Sequence, residues 1–178
     1  MWQKSFWINM PAANCLFLLL LLPSLLLSAC SAVPPRSTAS RDETTLVKVY
    51  FTDMNRYAQA TPPYEVPVFR AVSARSNLPR VVLEEFFRGP TEEERRRGLE
   101  AIRSGFSGIG GIDIENGVAH VYLTGRCGSG GATYTAAQPI TANLLQFEEI
   151  QYVKIYDAEG NTEEPSGRTN SIPLCLEP

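Results

Sequence analysis

The chain has 178 residues, of which 44% are hydrophobic and 20% charged, and it carries a formal net charge of -3. That is the size of one globular domain, and its apolar share excludes a wholly disordered chain. The mild acidity argues against nucleic acid, whose polyanionic backbone demands a basic face.

The first segment reads as an address. Lys4 precedes an apolar run from Leu16 to Leu27, interrupted by Pro23 and Ser24, and a dozen apolar residues are too few to span a hydrocarbon core of about 30 Å. Leu27-Ser28-Ala29-Cys30 follows and looks like a bacterial lipobox. In such a motif small residues admit a signal peptidase, and the Cys30 thiol takes a diacylglycerol through a thioether. Two acyl chains at about 0.8 kcal/mol per buried methylene give stable anchoring without a transmembrane helix. An ordinary cleaved signal is the competing reading. Cleavage before Cys30 removes only Lys4 among the charges, moving the balance from -3 to -4. The expected location is extracytoplasmic, on the cell membrane or the outer membrane, with Ser31 after the lipidated position permitting outer-membrane sorting.

Residues 30–45, with Pro34-Pro35 and several Ser and Thr, have no apolar period to bury and read as a flexible tether. About 15 such residues have an end-to-end distance on the order of 20 Å. The folded domain is expected over residues 46–164, followed by a tail at 165–178. Leu46 to Phe51 is a first strand, with Val47, Val49 and Phe51 on one face. A polar connection leads to a second strand, Tyr64 to Arg70, which Pro67 confines to an edge or bulge. Leu78 to Arg88 switches to helical spacing with Val82, Leu83, Phe86 and Phe87 on one stripe, Pro79 in the first turn and Gly89-Pro90 at the end. Thr91 and Glu94 form the T-x-x-E of a capping box, and Leu99, Ile102 and Phe106 are expected to pack back irregularly. Asn116-Gly117 between the alternating runs Ile112 to Glu115 and Val118 to Leu123 marks a two-residue hairpin, with Ala119, Val121 and Leu123 facing inward. A helix from Pro139 to Phe147 and a last strand from Ile150 to Tyr156 complete the order β-β-α-β-β-α-β. This is an α+β fold, a two-layer sandwich of a mixed or antiparallel sheet with helices on one face.

Of the four cysteines, Cys15 leaves with the signal and Cys30 carries lipid, so Cys127 and Cys175 remain to pair in an oxidising envelope. Two unrelated thiols are the alternative.

Three segments resemble the GerMN domain family of GerM-type sporulation and germination proteins and LpqB-type envelope lipoproteins. They are Val49-Tyr50-Phe51 with Asp53, then Leu83 to Pro90 leading to Gly98-Leu99, and Gly117 to Leu123 together with Asn143 to Ile155. The resemblance implies a fold similar to ring-building motifs, a module that packs against other proteins, and no catalytic residues or cofactor. Asn143 stands where the family commonly shows threonine, Thr124-Gly125 where it shows serine, and the two cysteines lie outside its pattern.

The residues themselves offer little chemistry. His120 is the one histidine and reads as a solvent-facing strand residue, so zinc lacks ligands and a hydrolase lacks a base. Gly105-Phe106-Ser107-Gly108 and Gly128-Ser129-Gly130 each miss one residue of a nucleophile elbow. Gly108-Ile109-Gly110 and Gly125 to Gly131 read as loops rather than phosphate cradles. Asp113 and Glu115 share a strand face without a convergent partner. Glu92-Glu93-Glu94-Arg95-Arg96-Arg97 reads as a solvated helix whose acids and bases pair among themselves.

The function expected is a lipid-anchored envelope protein held to the membrane through Cys30, binding other envelope proteins as a non-catalytic scaffold. The alternative is binding of an envelope polymer such as peptidoglycan, or of a small ligand, in an aromatic groove near Tyr122, Tyr134 and Tyr152.

Overall fold

The structure is a computed structural model, and it describes residues 43–178. The lipobox residues Leu27, Ser28, Ala29 and Cys30, with most of the tether, lie outside the described residues.

Strand β1 (Thr44–Asp53) buries Val47, Val49 and Phe51 at period two, as the alternation requires. Strand β2 (Glu65–Ser73) pairs antiparallel with it along nearly its whole length. Pro67 sits on this outer strand, where its missing donor costs no ladder bond. The connection between them is not featureless. Asp53 caps a short helix α1 (Met54–Ala58) by accepting from the N–H groups of Asn55 and Arg56.

Helix α2 (Leu78–Arg88) starts at Asn77, whose side chain accepts from Arg80 N–H, and stops at Gly89 with φ 92°. It buries Val82, Leu83, Phe86 and Phe87. Helix α3 (Glu92–Arg96) opens with the full capping box between Thr91 and Glu94. Leu99–Glu100 then forms a short strand, β3, on the other side of β1. Here the expected irregular segment gains regular pairing, because Leu99 is buried and its backbone meets Asp53.

Strands β4 (Phe106–Glu115) and β5 (Val118–Gly125) meet at Asn116-Gly117, both with positive φ, 51° and 82°. That is the type I′ geometry this pair favours. The hairpin is longer than its alternating run, since β4 begins at Phe106 and takes up Gly108-Ile109-Gly110 through two register shifts. That triplet is bulged strand, not a loop. Bulges absorb an extra residue where small side chains let the backbone bend. Helix α4 (Ala137–Leu144) leads to β6 (Tyr152–Tyr156), which pairs parallel to β5.

The fold is therefore α+β, and its strands divide into two three-stranded sheets, β2-β1-β3 and β4-β5-β6. Helix α2 packs against β1 and β4, and α4 against β1, β2 and β6. One hydrophobic core unites them, with Phe51, Phe86, Leu83, Leu123, Ile140 and Ile155 at its centre. After β6 the chain returns along that strand. Ile155 N–H donates to the Ser171 carbonyl at 2.9 Å, Ser171 N–H to the Val153 carbonyl at 3.0 Å, and Val153 N–H to Asn170 Oδ1 at 2.8 Å.

Candidate interaction surfaces

Cys127 and Cys175 are joined by a disulfide, with Cα atoms 5.7 Å apart. It fastens the C-terminal turn (Leu174–Leu176) to the loop after β5, and Ser129 N–H adds a 2.8 Å bond to the Cys175 carbonyl. A second fastening was not legible in the alternation of β6. Lys154 is fully buried, and its Nζ donates to the carbonyl oxygens of Glu164 and, at 3.2 Å, Ser166. Among the described residues no carboxylate pairs with it. Backbone dipoles alone satisfy the ammonium, which is how a charge survives burial without a counterion.

The charge run at residues 92–97 divides. Glu92 and Arg95 pair within the helix at 3.0 Å. Glu94 turns inward instead. It accepts both guanidinium nitrogens of Arg70 at 2.8 and 2.6 Å and is 8% exposed. The Arg70 hydrogen bond is the main cause that lowers the Glu94 carboxyl to about 2. The same bond raises Arg70, with Glu85 adding a weaker attraction from 3.8 Å. The solvated-face reading thus fails at Glu94, because helix spacing shows which residues share a face and not what that face meets.

His120 is half-buried rather than solvent-facing. Its ring stacks on Tyr156 at 5.8 Å, and Nδ1 lies 2.9 Å from the tyrosine hydroxyl. Tyr122 also stacks on Tyr156, at 4.7 Å. Burial pushes the Tyr156 hydroxyl up, with a smaller push from Tyr122. Asp113 stands opposite His120 in the β4–β5 ladder, but it and Glu115 are exposed. The Tyr156 hydroxyl thus holds the imidazole in place.

The three aromatics expected to share a groove do not. Tyr152 lies under Arg168 at 5.8 Å, and Tyr122 is engaged with Tyr156. Tyr134 packs with Tyr57 and Tyr64, the three ring centroids 5.2 to 5.8 Å apart. Its hydroxyl donates to Glu65 at 2.6 Å and lies 3.1 Å from Thr52 Oγ1. Burial first and the Glu65 bond second push that hydroxyl well above the ordinary tyrosine range. Tyr57 is the exposed member, at 39%. Signal for this cluster existed only as scattered tyrosines far apart in sequence.

Two apolar surfaces face outward. On the sheet side, Leu46 is 69% and Phe69 62% exposed. On the helix side, a shallow groove runs along α4, lined by Ala137, Thr141, Ala142 and Leu145 with Ile172 and Glu65 beside them. Between these surfaces α4 guards the β1 edge with its side chains. Asn143, fully buried, accepts from Tyr50 N–H at 2.9 Å and donates to the Tyr50 and Pro139 carbonyls at 2.8 Å each. Gln146 donates to the Lys48 carbonyl at 3.0 Å. The segment from Asn143, one of those that resemble the family, thereby acquires a physical role.

An α+β domain of two small sheets around paired helices, with exposed apolar surfaces and without a convergent catalytic set among the described residues, is the class these observations define. A family model described as "Germane: Sporulation and spore germination" matches residues 48–164, more than half of the chain, and the protein belongs to that family. Among solved structures, the chain is similar to the tandem GerMN domains of the sporulation protein GerM from Bacillus subtilis. That match has 19% identity and a TM-score of 0.50, covering 76% of this chain and 46% of that one. The chain thus spans about half the length of the tandem structure. The first GerMN domain of the same protein matches at 21% identity and a TM-score of 0.47, covering 71% of this chain and 92% of that one. No curated protein matches.

Proposed function

We propose that this is a lipid-anchored bacterial envelope protein whose GerMN domain is a non-catalytic scaffold, resembling sporulation and germination envelope proteins and docking other envelope proteins. The observation that carries the reading is the exposure of Leu46 and Phe69 on the strand pair that directly follows the tether. Large apolar side chains left together on a surface mark interaction sites. The lipobox at Leu27 to Cys30 supplies the address, extracytoplasmic and membrane-held, and the disulfide suits an oxidising space. Family membership adds an association with sporulation and germination.

Fractionation tests the anchor. Cys30→Ala should move the protein to the soluble fraction, and retention would count against lipid attachment. Capture of defined envelope proteins from detergent-solubilised membranes, lost with Leu46→Ser/Phe69→Ser, tests the scaffold.

Peptidoglycan binding is favoured by one specific observation, the Tyr57–Tyr64–Tyr134 cluster with an accessible ring beside Glu65. Sedimentation with purified peptidoglycan that disappears in Tyr57→Ala, with no protein captured, would establish that reading over the scaffold.

A further inference from the structure

We infer that the first half of β1 is a self-association edge, through which two copies pair antiparallel over Thr44–Lys48 with Leu46 opposite Leu46 of the second copy. The inference rests on the anchored reading above for the concentration that brings copies together.

The backbone of β1 sends alternate residues to opposite sides. The Glu43 carbonyl accepts from Ala74 N–H at 2.8 Å on the β2 side. Tyr50 and Lys48 turn the other way, to Asn143 and Gln146. By the same period Thr44 and Leu46 face that second side. Among the described residues nothing pairs with them there. An open edge is ordinarily blunted by charge, proline or a bulge. Here the exposed side chains beside it are Leu46, Phe69 and Ala71, with Lys48 the one charge on that face of β1.

The chemistry of the strand selects its own copy and a single register. A two-fold axis at Leu46 sets Thr44 against Lys48 of the other copy, so no like charges meet, and the Lys48 carbonyl, which accepts from Gln146 with one lone pair, keeps the other for Thr44 N–H. Sliding the axis to Lys48 would oppose two ammonium groups and carry the second strand onto Tyr50, whose N–H and carbonyl Asn143 already holds. Leu46 is the register partner of Ala71, and Phe69 that of Lys48, which makes Phe69 a diagonal neighbour of Leu46. Symmetry then extends this pair into an apolar stripe running Phe69, Leu46, Leu46 and Phe69 across four strands. A strand from an unrelated protein would have to supply that complement; a second copy already has it.

Five residues a side fall well short of the roughly 1,600 Å² of a standard stable interface, so the contact is weak in dilute solution. Anchoring changes that balance. Two copies held to one membrane through Cys30 share a thin surface layer, which raises their effective concentration to the order of millimolar.

The test uses the full-length chain in a bacterial envelope, carrying either Leu46→Cys or Ala71→Cys, under mild oxidation. The inferred pairing brings the two residue-46 Cα atoms to about 5.5 Å, within disulfide reach, and leaves the residue-71 pair about 14 Å apart across three strand spacings. Leu46→Cys should give a reducible band at twice the monomer mass, at least about tenfold stronger than Ala71→Cys. Adding Cys30→Ala should weaken it at least about tenfold while the protein becomes soluble. A membrane-bound Leu46→Cys chain that dimerises no better than Ala71→Cys overturns the pairing. So does a Leu46→Cys crosslink to a different protein, which would assign the edge to a foreign strand. Membrane retention of Cys30→Ala would sink the anchor alone, leaving the comparison of residues 46 and 71 to judge the edge.

Discussion

The two sheets guard their open edges in different ways. The edge of β6 in the second sheet is closed by main chain, since residues 170–172 return along it under a disulfide and a buried lysine. The same side of β1 in the first sheet is closed by β3 at Thr52 and Asp53 and by two side chains, Asn143 at Tyr50 and Gln146 at Lys48, which leaves Thr44 and Leu46 open among the described residues. A covalently stapled segment makes an edge permanently unavailable, whereas side-chain guards cover only the groups they reach. The β6 edge is thus finished within the chain, and that of β1 retains a place for another strand.

Perturbations of that contrast fall in a clear order. Replacing Cys127 and Cys175 together with serine should destabilise most, because the bridge spans 48 positions and loop closure of that size is worth about 4 kcal/mol. Urea unfolding with and without reductant measures it, and a loss below about 1 kcal/mol would show that hydrogen bonds alone hold the tail. Lys154→Ala should cost about 3 kcal/mol, leaving a cavity and two carbonyls without their donor. Hydrogen exchange should then quicken first at residues 164–171, and unchanged protection there would remove Lys154 from the closure.

On the first sheet, Glu94→Gln should destabilise by about 2 kcal/mol by breaking the bidentate pair that ties β2 to α3. Because the carboxyl is lowered to about 2 in the folded state from 4.5, its contribution is full above about pH 4.5. It is lost as pH falls toward 2. The difference between the native protein and the variant should therefore shrink over that window, and a gap that stays constant down to pH 2 would refute the assignment. The guards themselves come next, with Gln146 the smallest effect of all. Asn143→Ala should cost about 2 kcal/mol, since buried partners lose their bonds, and Gln146→Ala under 1 kcal/mol at the exposed rim. If both are neutral by thermal unfolding, α4 does not close the edge through its side chains.

Some of this architecture was legible in the residues. Asn116-Gly117, the Thr91–Glu94 box, Pro79 and Gly89 act within four residues of themselves, so their geometry follows from local sterics and hydrogen bonds. Val47, Val49 and Phe51, or Ala119, Val121 and Leu123, declare a buried face by alternation. The bulged start of β4 escaped because the glycines from Gly108 to Gly111 carry no side-chain period to read. Helix α1 escaped because Asp53 at the end of a strand also serves as its cap. Glu94 was misjudged and Lys154 passed unnoticed for a different reason, since nothing in their neighbourhoods announces Arg70 or the carbonyls of Glu164 and Ser166.

By itself, then, the sequence determined the hairpin, the limits of α2, the capping box of α3 and the membership that its motifs resemble, all signals carried by a few adjacent residues or by a repeating period. Only the tertiary structure decided that the strands form two sheets and that β6 runs parallel to β5. It also buried a lysine beneath the returning tail and left the β1 edge half open. Those outcomes depend on which distant surfaces exclude water together, a property of the closed chain and of no segment within it.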